Sequence, residues 1–142
     1  MEIIIILAEM YLLLFSIYHI FQGILSVFFS DFAIEFNKKV YGFKPKETEQ
    51  LKMNLKPWGS LALTMGVIGL IVYFNIETYS LILIGFSLLL FLRISYRMYY
   101  HKKIKEYWGV TIYQNIITIL IQIIGILLFT ILFLNRFHIS LI

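Results

Sequence analysis

The sequence contains no cysteine, and only two of its 142 residues are proline. The first absence excludes a disulfide framework, the usual support of a small extracellular domain. Charge is scarce too: Asp, Glu, Lys and Arg make up 14% of the chain, against about 25% in a typical soluble domain. Eight glycines are too few for a collagen-like repeat. The chain is instead rich in apolar residues, at 61%, with a mean hydropathy of +0.87. Such a chain cannot solvate its own surface in water, nor is it polar enough to stay disordered. The composition predicts an all-α polytopic membrane protein.

A helix needs about 20 apolar residues to cross a hydrocarbon core of about 30 Å. Four segments approach or exceed that length, at 3–29, 58–75, 78–92 and 111–134. None alternates apolar and polar residues, so a β-barrel is not expected. The first is too long for a signal-peptide core and has no basic residue before it, which predicts a permanent helix. The short stretch Asn75–Thr78 makes the second and third spans a hairpin. The expected architecture is one domain, an antiparallel bundle of four transmembrane helices.

Charge sets the expected orientation. Eleven of the twelve Lys and Arg residues fall in 30–57 and 93–110, and only Arg136 lies elsewhere. The positive-inside rule then places both basic connections in the cytoplasm and both termini outside, across the plasma membrane. These basic residues are divided between two juxtamembrane stretches, a pattern suited to anionic lipid heads and not to nucleic acid.

The connection 30–57 exceeds what a bundle turn requires. Phe32, Phe36 and Val40 recur every four residues beside Lys38 and Lys39, predicting a short amphipathic helix lying in the interface. Ser30 or Asp31 can cap its start, and Gly42 can stop it. A second helical piece is expected from Thr48 to Leu55, before Pro57 and Trp58 open the next span.

Polar residues inside the spans mark candidate sites, because lipid leaves them costly unless paired. Glu9, Ser16 and Gly23 lie within about 40° of one another on the first helix, with His19 and Ser26 beside them. Thr111, Gln114, Asn115, Thr118, Gln122 and Gly125 form a comparable stripe on the fourth helix. Ser60, Thr64, Gly66 and Gly69 on the second helix allow close helix approach. At about 1.5 Å rise per residue, His19, Gln22, Arg93, Gln114, Asn115 and Thr118 fall at similar inner depth. They are the candidate lining of a polar cavity open to the cytoplasm. The competing expectation is that the amides only join helices, and that Arg93 and Arg97 snorkel to the headgroups among a belt of tyrosines.

Glu9 falls in the outer half, too far to join that cavity. It either meets water or accepts a bond from Tyr11, or it couples a proton to transport. The segment Ile6-Leu7-Ala8-Glu9 resembles the first-helix carboxylate motif of the small multidrug resistance transporters. That likeness covers four residues and implies the transport role of Glu9.

A second resemblance concerns layout. Ile20-Phe21-Gln22-Gly23-Ile24-Leu25, the stretch ending Val40-Tyr41-Gly42, and Trp58-Gly59 followed by Gly66-x-x-Gly69 resemble DoxX-like small membrane proteins. The resemblance implies a four-helix bundle and carries over no catalytic residue.

No nucleophile–base pair, phosphate loop or metal-ligand cluster is legible, so neither an enzyme nor a cofactor or metal site is expected. The sequence points to a non-enzymatic module binding a lipid-like ligand or a partner subunit on its cytoplasmic side. A small oligomeric transporter or channel using Glu9 is the alternative. Membrane lipids, a second copy of the chain or a partner membrane subunit are the expected partners.

Overall fold

The computed structural model describes residues 2–42, 44–45 and 49–140, without the side chains of 41 and 137–140. Lys46 and the expected helix start at Thr48 lie outside the described residues. The described elements are all helices: α1 (Glu2–Phe28), α2 (Ser30–Tyr41), α3 (Glu49–Phe74), α4 (Ile76–Tyr79), α5 (Ile82–Tyr99), α6 (His101–Trp108) and α7 (Ile112–Ser140). Four of them are long and apolar enough to cross a membrane: Glu2–Phe28, Glu49–Phe74, Ile82–Tyr99 and Ile112–Arg136. They contain the greater part of the four expected segments.

Three helices continue past the expected boundaries into charged sequence, whereas α5 starts at Ile82, later than the expected 78. α3 begins at Glu49, so Pro57 lies inside it and does not open it. Glu, Gln, Leu, Lys and Met are strong helix formers. The lost backbone bond at a proline disturbs a single turn. α5 runs on to Tyr99 and carries Arg93 and Arg97, which composition assigns to a loop. α7 passes residue 134 and so includes Arg136. The expected hairpin turn at Asn75 contains the short helix α4, and α6 forms within the stretch 93–110.

α1 and α2 meet without a loop. Phe29 N–H bonds the carbonyl of Leu25, and Ala33 N–H bonds that of Phe29. Phe29, at φ −132°, occupies the cap position of α2 with no side-chain cap, so Ser30 and Asp31 do not fill that role. Asp31 instead pairs with Lys52 on α3 at 2.8 Å. Gly42 ends α2 at φ 64°, as expected, and Gly109 ends α6 the same way. A backbone bond of 2.8 Å from Lys44 N–H to the Trp108 carbonyl ties the long connection to the end of α6.

α1 packs most extensively on α3 and also meets α7, while α5 packs on α7. Glycines permit the first of these contacts. A Cβ on Gly66 would stand 2.6 Å from the Ile20 backbone nitrogen, and one on Gly23 2.6 Å from that of Leu63. The core lies between α1, α5 and α7, where Phe15, Phe86 and Phe129 stack with ring centroids 5.3 to 5.8 Å apart. Leu12, Leu83, Leu132 and Val72 complete it, each fully buried. The outer faces of the long helices expose Ile, Leu and Phe almost without interruption, a surface that water does not tolerate at this extent.

Candidate ligand-binding cavity

His19, Gln22 and Ser26 occupy one face of α1 at helical spacing, and all three are buried. His19 Nδ1 donates to the Phe15 carbonyl at 2.8 Å. That bond leaves Nε2 as an acceptor, and Arg93 Nη1 of α5 donates to it across 3.3 Å. The Phe15 ring lies 4.0 Å from the imidazole, centroid to centroid, and holds it from the other side. His19 therefore fixes the direction of the Arg93 side chain.

Gln22 has no such partner. It is 9% exposed, and its Nε2 is buried with no hydrogen-bond acceptor. Leaving a buried donor unmatched costs about 1–3 kcal/mol. Gln22 lines a cavity of about 290 Å³, together with Ser26, Asn37 and Arg93. Ile34, Leu51 and Leu55 form its apolar wall, and the indoles of Trp58 and Trp108 also border it. Asn37 donates its amide to the Ala33 carbonyl at 2.8 Å, which leaves its oxygen free to accept. The cavity is thus a partly open chamber between α1, α2, α3, α5 and α6 with one cationic wall and one apolar wall.

One turn beyond Arg93, Arg97 donates to Asn115 Oδ1 at 2.9 Å. Both arginines thus bond side chains of other helices. Among the described residues Lys52 pairs with Asp31 and Glu49, and Arg136 pairs with Glu9. Neither Arg93 nor Arg97 has a carboxylate partner among them.

Of the six candidate lining residues, the fold brings His19, Gln22 and Arg93 together. Those of α7 are engaged elsewhere. Gln114 Oε1 accepts from Thr111 N–H at 2.8 Å, and Thr111 Oγ1 accepts from Gln114 N–H at 3.2 Å. This reciprocal pair is a capping box, which Thr111-x-x-Gln114 announces in the sequence. Asn115 is held by Arg97, and Thr118 donates to the Gln114 carbonyl at 2.9 Å. Similar depth along two helices brought these residues level without bringing them into one chamber.

Glu9 does not take the bond expected from Tyr11. Its Oε1 accepts from Arg136 Nη2 at 2.6 Å, with side chains 31% and 23% exposed. Tyr11 donates to the Ile121 carbonyl instead, at 3.3 Å. Counting Arg136 as lying beyond the fourth span concealed this pair. Asn37, Trp58 and Trp108 also line the cavity, and no spacing in the sequence singles them out.

Among the described residues, no three His, Cys, Asp or Glu side chains come close enough to hold a metal ion. Comparison with known protein families, with curated proteins and with solved structures finds no match for this chain.

Proposed function

We propose that the chain is a non-enzymatic, multi-pass membrane protein that binds a lipid-like ligand in the cavity beside Arg93. One observation carries the reading: the buried, unmatched Gln22 amide lines a chamber whose wall also holds a guanidinium. Buried donors in native proteins are normally satisfied, and a ligand oxygen satisfies this one. The volume of about 290 Å³ suits a headgroup and its first methylenes and is too small for a partner helix. The transporter alternative is less favoured, because Glu9 is engaged by Arg136. Native mass spectrometry from mild detergent tests the proposal. Wild type is expected to retain a co-purifying lipid that Gln22→Leu combined with Arg93→Gln loses. Retention at wild-type stoichiometry in that double variant would count against the cavity.

On the same reading the four long helices form an antiparallel bundle, the arrangement that the layout resemblance to DoxX-like proteins also implies. Lys38 and Lys39 at the end of α2 then sit at the cytoplasmic headgroups, with α2 in the interface. The cysteine-free sequence makes orientation simple to measure. A membrane-impermeant thiol reagent is expected to label Glu77→Cys in intact cells, and Lys38→Cys only after permeabilisation. The reverse pattern would invert the topology.

A further inference from the structure

We infer that the ligand's head is a lipid phosphate carrying two negative charges, with Arg93 and Arg97 as its counter-cations. The inference rests on the proposed cavity and specifies what fills it. The two arginines stand one turn apart on α5, on adjoining positions of one face. Both are half-buried, in a helix apolar enough to cross a membrane. Their side-chain partners are neutral, His19 Nε2 for one and Asn115 Oδ1 for the other. Two like charges at this spacing repel, more strongly as water is withdrawn. Buried cations are normally paired.

The described acids are placed elsewhere. Asp31 and Glu49 serve Lys52, Glu9 serves Arg136, and Glu2, Glu35, Glu77 and Glu106 are exposed. Neither of these two positive charges therefore meets an anion among the described residues. The cavity offers an anion donors of the right kind. Arg93 presents a guanidinium fork already aimed by His19, and Gln22 Nε2 adds a buried donor with nothing to bond. Planar guanidinium donors match the paired oxygens of a phosphoryl group. A carboxylate brings one charge, whereas a phosphomonoester brings close to two near neutral pH, with three acceptor oxygens. Arg97 does not line the cavity and acts through its field on the bound head. The apolar wall of Ile34, Leu51 and Leu55 meets the tail, which a free phosphate ion lacks. His19 is a positioning residue, since its only link to the cavity is through Arg93.

The experiment titrates the purified chain in mild detergent with dioleoyl phosphatidate, dioleoyl phosphatidylcholine and inorganic phosphate, reading occupancy by native mass spectrometry. Phosphatidate is expected to bind at least about tenfold tighter than phosphatidylcholine. Arg93→Gln should erase that preference, and Arg93→Lys should restore part of it. Melting points near wild type certify that the variants are folded; if Arg93→Gln fails to fold, Arg97→Gln, which leaves the cavity wall intact, must still reduce the preference. Equal binding of the two lipids by wild type, lost together in Gln22→Leu, overturns the phosphate assignment and leaves the cavity as a lipid site. Phosphatidate binding unchanged in both Gln22→Leu and Arg93→Gln overturns the cavity reading itself. Inorganic phosphate binding as tightly as phosphatidate overturns the lipid part.

Discussion

Gly66→Val is expected to destabilise the fold by about 3 kcal/mol or more, at the upper end of overpacking costs, by forcing α1 away from α3. A Cβ at position 66 would lie 2.6 Å from the backbone nitrogen of Ile20 and 2.7 Å from the carbonyl oxygen of Ser16. Backbone atoms cannot rotate aside as a side-chain tip can, so one whole helix must shift. That shift propagates to Gly23, whose own missing side chain lets the Leu63 backbone approach. In lipid there is no hydrophobic gain to offset the lost contact, because helix association there depends on close van der Waals packing. Gly85 on α5 is the internal control, since a methyl group there would meet nothing within 4 Å. Gly85→Ala should be neutral or stabilising by up to about 1 kcal/mol through helix propensity. The measurement is the midpoint of unfolding in mixed detergent for both variants beside wild type. Coincident midpoints for Gly66→Val and wild type would refute the close-packed interface.

Glu9→Leu is expected to cost about 2 kcal/mol, below the 3–5 kcal/mol of a fully buried broken pair because this one is partly exposed. The loss comes less from the missing attraction than from what remains. Arg136 keeps its charge at a half-buried position, where its Nε already lacks a partner. Adding Arg136→Leu should therefore recover most of the loss, since removing both charges also removes the desolvation penalty. The same unfolding assay applied to the two single variants and the double variant tests this. A double variant no more stable than Glu9→Leu would show that the pair matters through something other than charge compensation.

The spans were legible because lipid imposes a length and a polarity on any helix that crosses it, and a stretch such as Ile112–Arg136 meets both without ambiguity. Helix ends were less legible. Lys56, Arg93 and Arg97 resemble loop residues by charge, yet lysine and arginine are good helix formers, and the helices run through them. The same property concealed Arg136, and with it the partner of Glu9. Within the site, depth along the helix located His19, Gln22 and Arg93 together, because depth is a one-dimensional quantity that hydropathy fixes. Azimuth between helices is set by packing such as Gly66 against Ile20, and no count along a single chain reveals it. Asn115 and Gln114, expected at the depth of His19, bond Arg97 and Thr111 instead.

The gap between α3 and α5 has a thermodynamic consequence. These two helices share no substantial interface among the described residues, and the cavity takes Leu51, Leu55 and Trp58 from one and Arg93 from the other. On the proposed reading a molecule seated there supplies packing that the polypeptide leaves out. By mass action such a molecule at a hundred times its dissociation constant adds about 2.7 kcal/mol. Extraction into detergent dilutes it, and washing dilutes it further. On the proposed reading the stability of this protein depends on the lipid-to-protein ratio, and two preparations of identical sequence are expected to differ in melting point according to how thoroughly each was purified.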